Sequence, residues 1–230
     1  MATSEVQVLG AWASPYSNRV QMALNLKSIE HEFIEEKFYI DKSERLLKAN
    51  PVHKKIPVLI HDHKSICESL IIIQYIDEVW IGNGPSILPS DPYDRALARF
   101  WAAYIDEKYF PLFKELEKAS GDETRAAIIG KMLEGSMLLE EAFVKCGKGK
   151  DFFCGDNVGY IDIVLGSCLG WINVTESMIG VKLFDETRTP GLAGWAERFR
   201  SHNAAKNVVP EPQKLLEFYM TVQGMKASSS

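Results

Sequence analysis

Apolar and polar positions alternate in two different rhythms along this chain, and the rhythm changes after about eighty residues. In the first part short apolar runs at Val6–Leu9, Glu32–Glu35 and Pro57–Ile60 read as strands, and Ser65–Cys67 reads as a fourth. The polar His61-Asp62-His63-Lys64 between the last two predicts a tight turn and hence a hairpin. Between the strands, Ser17–Lys27 carries Val20, Ala23 and Leu24 on one helical face, a short helical piece covers Ser43–Lys48, and Ser69–Val79 places Leu70, Ile73, Tyr75 and Ile76 at helical spacing. The order is β-α-β-α-β-β-α, an α/β module whose last strands run antiparallel.

Beyond it the pattern is helical throughout. Gly82-Asn83-Gly84-Pro85 to Leu88-Pro89-Ser90 is rich in turn formers and reads as a linker. Asp91-Pro92-Tyr93-Asp94 supplies a cap, a proline at the first helical position and an acid in the first turn. Leu97, Phe100, Trp101, Tyr104 and Ile105 follow on one face, and Pro111 is expected to kink or break that helix. Further helices are predicted over Asp122–Val144, Tyr160–Ile179, Gly191–Ser201 and Glu211–Met225, with the Ser228-Ser229-Ser230 tail frayed. The expected organisation is an α/β domain over 4–83, a linker over 84–90 and an all-helical domain over 91–225.

Composition narrows the partners. With 230 residues, 46% hydrophobic and 25% charged, the chain can bury a sizeable core. Its net charge of −5 points away from nucleic acid and anionic membranes, toward a small molecule or another protein. Met1-Ala2-Thr3-Ser4-Glu5 lacks the basic region of a secretion signal, and no window has the length and apolarity of a membrane span. Cys67, Cys146, Cys154 and Cys168 are scattered without metal-ligand spacing, so they read as reduced packing thiols in a cytosolic protein, and no metal is expected. Without a secretion signal, the Asn173-Val174-Thr175 sequon reads as a chance match.

The chemistry concentrates at Trp12-Ala13-Ser14-Pro15-Tyr16-Ser17-Asn18-Arg19-Val20, where the first strand gives way to a helix. Such a junction offers free N–H groups and the positive end of a helix dipole, which favour an anion. Ser14 fits two readings there: an N-cap ahead of Pro15, or a hydroxyl serving a bound thiolate or phosphate. The element order is that of a thioredoxin-like module, in which a redox enzyme carries C-x-x-C at this turn. The tetrapeptide here is Ser14-Pro15-Tyr16-Ser17, which cannot form its own mixed disulfide.

With these residues in view, the chain resembles a tau-class plant glutathione transferase. The Trp12–Val20 segment resembles the catalytic serine loop of that class, Asn50-Pro51-Val52-His53-Lys54-Lys55-Ile56-Pro57-Val58-Leu59 its second signature and Ile66-Cys67-Glu68-Ser69 its third. The resemblance implies a thioredoxin-like α/β domain followed by an all-α domain, with glutathione as cosubstrate, no tightly bound cofactor, and a homodimer. It implies that Ser14 hydrogen-bonds the glutathione sulfur and that Pro57 follows a cis peptide, presenting the Ile56 backbone to the peptide-like ligand; base rate alone favours trans. Glu68 and Ser69 would take the γ-glutamyl ammonium and carboxylate, or simply cap a helix. Lys42 and Lys55 would meet the glycine carboxylate.

An apolar electrophile site is expected from Tyr16, Tyr109, Phe113 and Trp171, each of which also reads as a core aromatic. Gly159-Tyr160-Ile161-Asp162 resembles a capping box with Gly where relatives carry Ser or Thr, which makes Asp162 structural. The implied activity is conjugation of the thiolate to hydrophobic electrophiles in detoxification, with accessory peroxidase activity. The alternative is a ligandin-type binder of apolar ligands or glutathione conjugates without turnover.

Overall fold

A computed structural model describes residues 5–37 and 41–228. The expected start of the first domain at residue 4 and the tail residues Ser229 and Ser230 lie outside the described residues. The chain forms two compact units, one comprising 1–87 together with 203–230, the other 88–202.

The first unit is built on a four-stranded sheet in the order β2-β1-β3-β4. Its strands are β1 (Val6–Gly10), β2 (Glu32–Glu35), β3 (Val58–His61) and β4 (Lys64–Cys67), with β2 parallel to β1 and both β3 contacts antiparallel. The helices are α1 (Pro15–Leu26), α2 (Glu44–Ala49) and α3 (Ser69–Val79). The predicted order is therefore borne out, with element ends shifted by at most two residues. Val8, Leu9, Val58 and Leu59 are fully buried, as are Ile72, Ile73 and Ile76 of α3, because both faces of the central strands are covered.

Register decides where the functional loops emerge. Leu9 pairs with Val58, which pairs with Cys67, and Gly10 pairs with Glu35. The loop after β1, the approach to β3, the turn after β4 and the exit from β2 therefore all leave the same end of the sheet. One charged clasp closes the unit elsewhere: Lys27, 1% exposed, places Nζ 2.8 Å from Asp77, which also accepts from the Ile87 N–H at 2.9 Å.

The second unit contains α4 (Pro92–Tyr104), α5 (Pro111–Lys118), α6 (Asp122–Gly147), α7 (Tyr160–Gly166), α8 (Leu169–Ile179) and α9 (Pro190–Ser201). Pro111 acts as expected. It cannot donate an N–H, and the chain ahead of it widens into a π-helical turn over Ile105–Tyr109, where Phe110 N–H reaches the Ile105 carbonyl at 2.8 Å. The single helix predicted over Tyr160–Ile179 is instead two. Cys168 N–H bonds the Leu165 carbonyl in a tightened turn, and the Ser167 hydroxyl donates to Val164 O at 2.8 Å, so the backbone bends between them.

Asp162 is the polar hub of this unit. Its carboxylate accepts from the N–H groups of Phe153 at 3.0 Å and Gly159 at 2.9 Å, from Trp195 Nε1 at 2.7 Å, and from the Cys154 backbone. Burial nonetheless pushes the carboxyl up to about 6 against those four bonds. Gly159 has no side chain to complete a reciprocal box, so only the reach-back half of the cap exists.

The last helix, α10 (Pro212–Ser228), corrects the expected domain boundary. It belongs with the first unit, not the helical one, since Phe218 meets Trp12 edge-on at 5.3 Å and Lys214 stands 4.6 Å over the same indole. Asn25 of α1 anchors the preceding segment by donating to the Ala204 carbonyl at 3.2 Å.

Candidate active site

Ser14 is the N-cap of α1, with extended backbone at φ −88° and ψ 117°, and its oxygen accepts the Ser17 N–H at 3.4 Å. This capping role uses a lone pair. A hydroxyl has two acceptor sites and one proton, so the O–H remains free to donate, and the two readings of Ser14 are compatible. The loop is held from several sides. Ser17 Oγ accepts Ala11 N–H at 3.1 Å, and Glu35 accepts Trp12 N–H at 3.1 Å, its own carboxyl raised by partial burial. Buried Asn18, with its amide nitrogen turned toward them, donates to the Trp12 and Ser14 carbonyls at 3.2 and 3.3 Å. Gly10 is required here: a Cβ would stand 2.8 Å from the Phe33 ring and 2.9 Å from Ser17.

The Ile56–Pro57 peptide is cis, as the resemblance implied. Asn50 shapes the loop ahead of it. Its side chain, 2% exposed as a residue, donates to Lys55 O at 2.9 Å and accepts from His53 N–H at 3.0 Å. Ile56 is half-buried, while Lys55 and Lys42 are exposed. Lys42 donates its backbone N–H to the Asp41 carboxylate at 2.8 Å.

Glu68, not Ser69, occupies the cap position of α3, and Ser69 is the first helical residue. Glu68 adopts φ 70°, ψ 113°, a left-handed setting uncommon for a side chain of its size, and its exposed carboxylate stands 3.9 Å from His53 Nε2. Ser69 is buried and accepts from Arg19 Nη1 at 3.3 Å. α1 carries no acid at its cap or in its first turn, so its positive end is not neutralised by a side chain of its own, whereas α3 has the Glu68 carboxylate at its cap.

Arg19 is fully buried, with its guanidinium carbon 4.9 Å from the Tyr16 ring centre, so one cation links the Ser14 helix to the Ser69 turn. Sequence reasoning assigned no role to Arg19, Asn18 or Asn50. Arg19 lies four residues before Ala23 on the apolar face of α1, and a charge on a core-facing stripe is the signal that identifies it.

The aromatic residues expected at an electrophile site divide by exposure. Tyr16 is exposed, and Phe113 and Trp171 are half-buried. Tyr109 is not available: it is fully buried, its hydroxyl 2.9 Å from Ser136, its ring against Gly135 and its phenol raised by burial. It is a core residue of the second unit and leaves the site.

Comparison with known proteins decides the family. A family model described as the glutathione S-transferase N-terminal domain matches residues 9–79, and one described as the C-terminal domain matches 93–198. Glutathione S-transferase U17 of Arabidopsis thaliana is 56% identical over 218 residues, covering 95% of this chain and 96% of that protein. The chain belongs to the tau-class glutathione S-transferases.

Among solved structures, the tau-class enzyme of mango (Mangifera indica) matches this glutathione transferase with a TM-score of 0.93 at 54% identity, covering 96% of this chain and all of that one. A rice glutathione transferase solved in complex with glutathione matches with a TM-score of 0.87 at 33% identity over the full length of both chains. The Ser14, Pro57 and Glu68-Ser69 blocks of this transferase fall within the matched N-terminal domain.

Proposed function

We propose that this transferase binds glutathione at the end of the sheet where Ser14, Ile56 and Glu68-Ser69 emerge, and conjugates its thiolate to hydrophobic electrophiles. The observation that carries this reading is the register: Leu9, Val58 and Cys67 are aligned, so the three loops leave the sheet side by side. Above the cis proline, the Ile56 backbone pairs with the tripeptide as an added strand. Ser69 and the α3 N-terminus take the γ-glutamyl carboxylate, with the Arg19 cation behind the Ser69 hydroxyl, and Glu68 takes the ammonium. Lys42 and Lys55 meet the glycine carboxylate.

The remaining problem is the proton on sulfur. A free thiol has a pKa of about 8.5, so only a few per cent is ionised near pH 7. The Ser14 O–H and the unneutralised end of α1 stabilise the thiolate, each unit of depression corresponding to roughly 1.4 kcal/mol. Ser14 acts as a donor, since a hydroxyl is too weak a base to remove the proton itself. The thiolate then forms a C–S bond as the leaving group departs from the electrophile, which rests on exposed Tyr16. Detoxification of xenobiotics or of lipid-derived electrophiles, and assembly as a homodimer, belong to the same proposal.

The test is Ser14→Ala assayed with a chloronitroaromatic while the thiol pKa of bound glutathione is followed by thiolate absorbance. A rise in pKa of about one unit or more, with a matching fall in turnover at neutral pH, is expected. An unchanged pKa and rate would remove Ser14 from the mechanism. Tight binding of an S-substituted glutathione without any turnover by the unmodified protein would favour the ligandin reading.

A further inference from the structure

A γ-glutamyl ammonium brings three N–H donors to Glu68, more than one carboxylate oxygen satisfies. His53 stands ready as a second acceptor. Its Nε2 lies 3.9 Å from Glu68 Oε1, and both side chains are exposed to an incoming ligand. That gap is too long for a hydrogen bond between the two, so neither group is used up by the other. It suits a shared donor instead. Two acceptors 3.9 Å apart both lie about 2.9 Å from a nitrogen set between them, at an angle of about 85°, which two N–H bonds of one ammonium reach with a small bend.

Both acceptors sit on backbone that is tied down. Asn50 accepts the His53 N–H through Oδ1 at 3.0 Å and the Lys54 N–H through its carbonyl at 2.9 Å, while the Glu68 carbonyl accepts the Ile72 N–H at 2.8 Å. Cys67 joins the two segments. Its Sγ lies 3.8 Å from the Ala49 carbonyl, and it packs with Ala49 and Ile56 against the buried side chains of Leu46 and Val58. The residue before Glu68 and both ends of the His53 loop therefore share one small apolar cluster.

We propose that His53 is a binding residue for the γ-glutamyl ammonium, its neutral imidazole accepting one N–H while Glu68 accepts another, a role that rests on glutathione occupying the site as read above. Imidazole accepts at Nε2 only when it is neutral with its proton on Nδ1, whereas imidazolium sets a donor and a positive charge against the ammonium. Proton and glutathione therefore compete. An imidazole ordinarily takes up that proton near pH 6.5, so the competition falls within the range in which the enzyme can be assayed. The charges of the adjoining segments are Lys48 at the end of α2, Lys54 and Lys55 in the loop, Glu68 at the α3 cap and Arg19 behind Ser69. Side chains of these types ordinarily keep their charge between pH 5.5 and 7.5. Burial, and then the Glu68 charge, hold the Cys67 thiol above its usual range, so it stays protonated there as well.

The experiment titrates the full-length protein calorimetrically with S-methylglutathione, which has no thiol proton to confuse the count, in buffers of different ionisation heat. Between pH 7.5 and 5.5 the parent's Kd should rise about three- to tenfold, with about half a proton released per ligand bound near pH 6.5. His53→Gln keeps an acceptor that cannot titrate, so its Kd should stay near the parent's value at pH 7.5 across the range, without proton release. His53→Ala should be equally flat but several-fold weaker at pH 7.5. An analogue with glutaryl in place of the γ-glutamyl group lacks the ammonium, and its binding should release no proton. Thermal unfolding checks that each variant is folded. A parent that binds S-methylglutathione with a flat Kd and no proton release overturns the role of His53 while leaving the glutathione site standing. A folded His53→Gln variant that keeps the parent's pH profile, or equal proton release with the glutaryl analogue, overturns it too. Failure of the parent to bind S-methylglutathione at any pH would remove the glutathione reading and this role together.

Discussion

Replacing Asp162 with Ala should remove the acceptor of four buried donors at once: the backbone N–H groups of Phe153, Cys154 and Gly159 and the Trp195 indole N–H. A buried donor left without a partner costs about 1–3 kcal/mol, so the four together should lower stability by roughly 4 kcal/mol or more, a large part of the 5–15 kcal/mol typical of a whole protein. Thermal unfolding followed by circular dichroism should fall by about 10 °C or more, with turnover well below the transition unchanged. Asp162→Asn keeps part of the acceptor capacity and should fall between.

The same residue sets a pH dependence whose sign tests the balance of forces. Burial raises the folded carboxyl to about 6 from 3.8. The folded chain therefore keeps a proton that the unfolded chain has lost, and the stability present below pH 3.8 is lost as pH rises through about 6. Relative to Asp162→Asn, the parent should lose up to about 3 kcal/mol between pH 4 and 7 in urea titrations. A parent that gained stability over that interval would mean that the four hydrogen bonds outweigh desolvation. An Asp162→Ala variant that melts normally but is inactive would refute the structural role itself.

Two further outcomes follow from individual contacts. Asn50→Ala frees Lys55 O and His53 N–H from the loop that carries Ile56, and should raise the KM for glutathione several-fold with little change in kcat; an unchanged KM would detach this loop from binding. Lys27→Met takes the cation from half-buried Asp77 and should cost about 2–4 kcal/mol in urea unfolding, partly restored by adding Asp77→Leu; no recovery in the double variant would assign the loss to packing instead.

Element order was legible in the sequence because periodicity reports which face is buried, and every strand and helix of the first unit was anticipated. The Ser14 cap was legible for the same reason, since a capping residue and a proline mark a helix start. What periodicity cannot express is contact at long separation. Arg19 meets Ser69 fifty positions away, and Trp12 meets Phe218 across almost the whole chain. Tyr109 shows the converse: its helical spacing fitted both a core and a pocket wall, and only Gly135, which leaves room for the ring, and Ser136, which satisfies the hydroxyl, decide for the core. The break at Ser167–Cys168 was hidden because the hydrophobic pattern runs through it unchanged.

The return of α10 to Trp12 means that the first unit is discontinuous in the chain. A ribosome makes the α/β module first and its last structural piece, α10, only after the helical unit. Trp12, two residues from Ser14, therefore gains its Phe218 neighbour only after the whole helical unit has been made. Synthesis of α10, not emergence of the α/β module, sets the moment at which the surroundings of the serine loop are complete.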